Sequence, residues 1–158
     1  MRCVSSLLVG LISDTHGLLR PEAISSLRGS DILIHAGDIG NPEVIQELKR
    51  LAPTFAVRGN IDKGDWAAAL PVTEVVEVGA LCFYVLHEVS LLDLDPKAAG
   101  FAAVVSGHSH QPSIEYRSGV LFINPGSAGP RRFTLPVAVA RITVSGAELK
   151  PEIVELKS

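Results

Sequence analysis

At 158 residues, with 47% apolar and 20% charged side chains, the chain reads as a soluble globular protein and not a disordered one. A net charge of −3 gives no basic field to draw nucleic acid or an anionic membrane surface. No apolar run reaches the ~20 residues that span a bilayer, and the two cysteines, Cys3 and Cys82, stand far apart in no metal-binding spacing, which favours a reducing cytoplasm over a disulfide framework.

In chain order, the first twelve residues faintly resemble a signal peptide. The apolar run is short, however, and no small-residue cleavage site follows it, so residues 7–13 are expected to be a buried strand of the mature chain. That strand ends in Asp14-Thr15-His16-Gly17. Residues 21–27 predict a helix, with Pro21 in the first turn, where a missing N–H costs nothing. Residues 32–36 form a second apolar strand. Asn41-Pro42 is an N-cap followed by Pro at the first helical position; the helix runs to about Leu51, with Val44, Ile45, Leu48 and Leu51 on one face. Residues 54–57 form a third strand. This β-α-β-α-β order implies parallel strands joined by right-handed crossovers.

The second half is hairpin-rich. Residues 72–78 and 81–86 flank Gly79-Ala80, residues 113–117 and 120–124 flank Ser118-Gly119, and residues 136–144 and 148–156 flank Ser145-Gly146-Ala147. A short strand spans 102–106, and residues 91–100 hold a short helix or loop. The expectation is one domain over residues 1–158: two sheets packed face to face, with helices outside.

Polar residues gather where the apolar runs stop. His16 follows the first strand, Gly37-Asp38 the second, Gly59-Asn60 the third, His87 the run 81–86, and Gly107-His108-Ser109-His110 the run 102–106. In open α/β sheets the loops at the carboxyl ends of strands converge on one crevice. Asp14, His16, Asp38, Asn60, His87, His108 and His110 can therefore meet at one edge. Imidazole, carboxylate and amide oxygen together suit divalent first-row metals, and seven ligands exceed the need of one zinc while matching two ions that share a carboxylate.

In that order and on strand ends, Asp14-x-His16, Gly37-Asp38, Gly59-Asn60, His87 and Gly107-His108-x-His110 resemble the calcineurin-like metallophosphoesterase superfamily. The short chain, Gly59-Asn60-Ile61-Asp62 and Ile123-Asn124-Pro125-Gly126-Ser127 are similar to its small bacterial and archaeal phosphodiesterase branch, which the retromer scaffold subunit shares. The resemblance implies an α/β fold, a four-layer α/β/β/α sandwich with two mixed β-sheets. It implies Asp14, His16, Asp38 and His110 on a first metal, and Asp38, Asn60, His87 and His108 on a second. Manganese is the expected ion, with iron, nickel, cobalt or zinc as alternatives. The implied activity is hydrolysis of a small phosphodiester by a hydroxide bridged between the ions, with Asp38, Asn60 and His87 as the catalytic residues.

Two departures shape that expectation. Many superfamily members carry a His directly after the Asn to protonate the leaving group; here Ile61 stands there and donates no proton. Diesters with good leaving groups are therefore favoured, since general acid help is worth about 10²–10⁴-fold. The branch also often has Gly and then His after its fourth ligand, whereas this chain has His87-Glu88-Val89.

The remaining polar residues have plainer readings. His35, inside a strand, is expected to be a packed core histidine with a smaller prospect of contacting a ligand residue. Asp62 is balanced between a loop carboxylate and a partner of a ligand His; Asp65 reads as solvated. Arg58, Arg131 and Arg132 are phosphate-contact candidates set against exposed ion pairs. Trp66 with residues 67–70 reads as packing or an exposed loop, Ser127 has no neighbouring base, and Cys82 reads as a small core residue. The rival to an enzyme is a non-catalytic interaction module on the same fold; a mononuclear zinc hydrolase is a third reading. The C-terminal hairpin leaves a homo-oligomer open.

Overall fold

A computed structural model describes residues 6–132 and 134–156. Cys3, the start of the signal-like stretch and Phe133 lie outside the described residues. The first sheet contains β1 (Ser6–Ile12), β2 (Ile32–His35), β3 (Thr54–Ala56), β9 (Ala138–Ser145) and β10 (Glu148–Glu155), in the order β10-β9-β1-β2-β3. The second contains β4 (Thr73–Val78), β5 (Leu81–Leu86), β6 (Ala103–Val105), β7 (Ser113–Arg117) and β8 (Val120–Asn124), in the order β4-β5-β6-β8-β7. Both sheets are mixed. β1-β2-β3 run parallel, as do β5-β6-β8, and the three expected hairpins form as antiparallel pairs.

Strand periodicity explains the layers. Along β1, Val9 and Leu11 face the second sheet, where they meet Ile34, Phe83, Val85, Val105, Leu121, Ile123 and Ile142 in the central core. The alternate residue Ile12, with Leu33 and Val139, faces outward to a second core under α1 (Pro21–Leu27) and α2 (Pro42–Lys49). Asn41 caps α2 by accepting from the Val44 N–H, as its sequence signature requires. The outer layer of the second sheet is thin. A 3₁₀ turn at Val89–Leu91, with Leu92, Leu94 and Phe101 beyond it, covers Tyr84, Leu86, Val104 and Phe122. Trp66, expected as packing or an exposed loop, lies in the short helix α3 (Asp65–Ala68) and packs half-buried on the α2 side. Cys82 is half-buried on β5 rather than fully in the core.

Three parallel strands in each sheet put their carboxyl ends on the same edge, so the loops after β1, β2, β3, β5 and β6 share one rim. Gly10 sets how closely α1 approaches β1: a Cβ there would lie 2.6 Å from Leu33, 2.7 Å from Ser30 and 2.8 Å from Leu27. Gly10→Ala is expected to destabilise the fold by about 1–3 kcal/mol through overpacking. Urea unfolding should show a lower midpoint at an unchanged slope; an unchanged midpoint would mean that α1 moves freely.

Candidate metal centre

The rim is built from residues held in an uncommon backbone conformation. Asp14, His16, Asp38, His108 and His110 all have positive φ, between 47° and 73°. For residues other than glycine, this region costs on the order of 1–3 kcal/mol and persists only where the surroundings enforce it. The enforcing bonds are visible. Asp14 N–H donates to the Gly37 carbonyl, His16 N–H to the Asp38 carbonyl, and Gly107 N–H to the His87 carbonyl. Two glycines make room: a Cβ on Gly59 would collide with the Asp38 backbone and carboxylate, and one on Gly107 with Ser13 and Asp14.

Each central side chain is tied at one atom and open at another. Asp14, fully buried, accepts at Oδ2 from Ser13 Oγ at 2.6 Å and from His108 N–H at 3.1 Å, while its Oδ1 has no hydrogen-bond partner. His87 donates through Nδ1 to the Ala36 carbonyl at 2.7 Å, bridging the two sheets and leaving Nε2 without a partner. Asp38 accepts the Ile61 N–H at Oδ1, 3.1 Å away, and turns Oδ2 toward His87 Nε2 at 3.3 Å and His16 Nε2 at 3.7 Å. His110 Nε2 lies 3.4 Å from Asp14 Oδ1.

The electrostatics follow. Burial drives the Asp14 carboxyl above its ordinary value despite the Ser13 hydrogen bond. Burial acts the same way on Asp38, but the close His87 imidazole, the Ile61 N–H bond and the His16 imidazole together outweigh it and hold that carboxyl well below the usual range. His87 is pushed down most by burial, but Asp38, the Ala36 carbonyl and Asp14 together push it up further, and it ends above its ordinary value. His110 ends below its ordinary value, chiefly through burial; the Arg132 charge adds to the shift although that side chain is exposed.

Two groups can each hold a cation: Asp14, His16 and His110, and Asp14, Asp38 and His87. Within each group the ligand atoms lie within 4.8 Å of one another. Among the described residues, the unpartnered buried side-chain atoms are Asp14 Oδ1, His16 Nε2, His87 Nε2 and His110 Nδ1. Buried polar atoms without partners are rare; three of these, Asp14 Oδ1, His16 Nε2 and His87 Nε2, gather with Asp38 Oδ2 and His110 Nε2, so the donor set fits divalent metal. Five of the seven sequence-derived ligands are thus gathered. His108 lies beside them, its ring 5.3 Å from that of His87, but its side chain is 43% exposed and stands 3.8 Å from Glu88. Asn60 is exposed and borders the cavity next to His87.

Several supporting contacts escaped sequence reasoning. Asp62 accepts the backbone N–H groups of Ile39, Gly40 and Gly59, so it fixes the Asp38 and Asn60 loops and touches no ligand His. Asn124 donates to the Gly107 carbonyl and to Ser109, and Ser127 donates to the Asp14 carbonyl. His35 is fully buried. Its Nδ1 accepts the Gly37 N–H, and its Nε2–H donates to Thr15 Oγ1, whose own proton goes to the Ile39 carbonyl. A charge pattern or motif would not have revealed these, since most of their partners are neutral backbone groups brought close only by the fold. Asp65 and Arg131 are exposed, and Arg58 lines the cavity beside Asn60.

A family model for the calcineurin-like phosphoesterase superfamily domain matches residues 7–147. A probable metallophosphoesterase of Methanothermobacter thermautotrophicus is 31% identical, over 94% of this chain and 92% of that protein. A solved archaeal phosphodiesterase superposes with a TM-score of 0.77 at 26% identity, covering 94% of this chain and all of its own. Vacuolar protein sorting 29 from Cryptosporidium parvum superposes with a TM-score of 0.76 at 18% identity, covering 97% and 99%, a likeness of fold alone.

Burial lowers His35 from its ordinary value of 6.5 to about 3. The folded chain thus refuses a proton that the unfolded chain accepts. Stability from this group is complete above pH 6.5 and is lost as pH falls toward 3, at about 1.4 kcal/mol per pH unit. With chelator present, His35→Gln should lose about 2 kcal/mol less than the parent between neutral pH and about pH 5, read by urea unfolding. Equal losses would place the His35 proton within reach of solvent.

Proposed function

Because the chain belongs to the calcineurin-like phosphoesterase superfamily, we propose that it is a metal-dependent phosphodiesterase working with two divalent ions, manganese foremost. Asp14, His16, Asp38 and His110 would hold the first ion, and Asp38, Asn60, His87 and His108 the second, with Asp38 shared. The observation that carries this reading is the gathering of carboxylates and imidazoles on one rim, with Asp14 Oδ1, His16 Nε2 and His87 Nε2 buried and unpartnered among them. When bound, such an ion pair acidifies the attacking water and polarises the phosphoryl oxygens.

The chain's own residues orient that chemistry. The Ala36 carbonyl fixes the His87 tautomer, so the Nε2 lone pair faces the crevice. The Ile61 N–H holds one Asp38 oxygen and leaves the other free for ligation. Ile61 itself is 44% exposed at the position where many relatives place an acid, and it supplies no proton to a leaving group. Diesters that depart without protonation are therefore the expected substrates. The interaction-module reading has the fold likeness to vacuolar protein sorting 29 behind it but no residue-level feature here.

Chelated protein should be inactive on bis-nitrophenyl phosphate, regain turnover with Mn²⁺ and hold two ions per chain at saturation by elemental analysis. Asp38→Asn should lose at least about 100-fold, since even outer-shell changes at metal sites cost 10–100-fold. Undetectable turnover with metal bound would favour the interaction module, and one ion per chain the mononuclear reading. Ile61→His should raise turnover of alkyl-leaving-group diesters by about tenfold or more while leaving nitrophenyl diesters nearly unchanged. Equal effects on both would remove the leaving-group argument.

A further inference from the structure

Two cavities flank the rim on the side of the second sheet. One, of about 240 Å³, lies against His108, Ser109, Arg117 and Phe122. The other, of about 320 Å³, lies against Asn60, His87, Tyr84 and Leu91. Glu88 lines both. It follows His87 directly, and its side chain is 29% exposed, with Oε2 accepting from Ser90 Oγ at 2.9 Å and Oε1 3.8 Å from His108 Nε2. Among the described residues no Lys or Arg stands within ion-pair distance of it. The cation of the first cavity, Arg117, is held by Glu115 at 3.2 Å and lies over the Phe122 ring. The second cavity is lined also by one cation and one further carboxylate, Arg58 and Asp93. The partition between the cavities therefore carries a carboxylate with no Lys or Arg paired to it, its nearest basic group being the half-exposed His108 imidazole.

We propose that Glu88 is a specificity-determining residue: it turns the site against phosphomonoesters and toward diesters that send one arm into each cavity. The proposal rests on the phosphodiesterase reading above. A bound diester presents a single negative charge and covers two of its oxygens with substituents. A monoester leaves one of those oxygens bare and anionic, facing the mouth of a cavity. Because Glu88 lines both cavities, that oxygen faces a wall bearing its carboxylate in either orientation, and Arg58 in the second cavity is balanced by Asp93. Like charges at such spacing repel measurably in a partly desolvated crevice, and the exposure of Glu88 limits the effect to a modest factor. Glutamine has the same shape and can keep the Ser90 contact, so Glu88→Gln removes the charge alone.

The test uses phenylphosphonate, a dianion at mildly alkaline pH, and its monomethyl ester, a monoanion; neither carries a P–O–aryl bond to hydrolyse. Calorimetry on manganese-loaded protein should show Glu88→Gln binding the dianion roughly three- to tenfold more tightly, with the monoanion changed by less than about twofold. The kcat/KM ratio of nitrophenyl phosphate to bis-nitrophenyl phosphate should rise by a similar factor. If both phosphonates shift together, or neither shifts, the charge filter is wrong. If the variant holds fewer ions per chain, Glu88 is a metal ligand and the proposal also falls. If the parent hydrolyses neither ester yet the phosphonate affinities split, the phosphodiesterase reading fails and the charge filter stands as a binding device.

Discussion

Asp14 and Asp38 bury two carboxylates side by side at the end of a close-packed core, and most of the surrounding architecture answers to that pair. Two like charges taken out of water repel each other and forgo hydration. The chain relieves them unequally. Asp38 receives imidazoles and a backbone N–H and is stabilised as the anion; Asp14 has one hydroxyl, one N–H and complete burial, and is pushed up. Neither arrangement covers every oxygen. What remains open on both carboxylates faces imidazole nitrogens that are themselves without partners. A cation satisfies all of these atoms at once, which is why the donor set points to metal more strongly than any single residue in it.

The same pair explains the backbone. To bring carboxylates and imidazoles from four strand ends to within a few ångströms, the chain turns sharply after β1, β2 and β6. Five ligand-type residues consequently adopt positive φ. The accumulated strain is several kcal/mol by general magnitudes, comparable with the whole net stability of a small domain, roughly 5–15 kcal/mol. It is offset from behind the rim. Asp62 gathers three N–H groups, Asn124 ties down the loop carrying His108 and His110, and Ser127 holds the Asp14 carbonyl. These contacts sit opposite the open ligand atoms, so they can hold the turns without competing with an ion.

The strands, both longer helices, all three hairpins and the shared rim were legible because each depends on short-range signals: alternation, a proline at a helix start, a glycine in a turn. So were the ligand types, which sit at the ends of apolar runs. Contacts across sequence were not. Asp62 looked like a companion of a ligand histidine, but its partners are N–H groups whose positions exist only once β2 and β3 pair. His35 looked like core and is core, yet its place between Thr15 and Gly37 depends on β1 and β2 lying side by side. The short helix at Asp65–Ala68 carries too few residues for a periodic signal. The thin outer layer at Val89–Leu91 escaped for the same reason.

Atom by atom, the centre divides its donors between the protein and whatever binds it. Asp14 gives Oδ2 to Ser13 and His108 and keeps Oδ1 open; His87 gives Nδ1 to Ala36 and keeps Nε2 open; Asp38 gives Oδ1 to Ile61 and turns Oδ2 inward. A side chain anchored at one atom loses little further rotamer freedom when the other atom binds, so the ordering cost is met during folding and not during ligation. An ion that binds only the folded chain then adds stability by mass action, about 2.7 kcal/mol at a hundredfold excess over its dissociation constant. That gain acts on the strained turns without having to create them. Among the described residues, the more exposed His108 and Asn60 show no such side-chain hydrogen bond. The tightly held half of the rim can therefore fix the position of an ion, while the looser half, bordering Glu88 and the two cavities, is the part free to adjust to what is bound beside it.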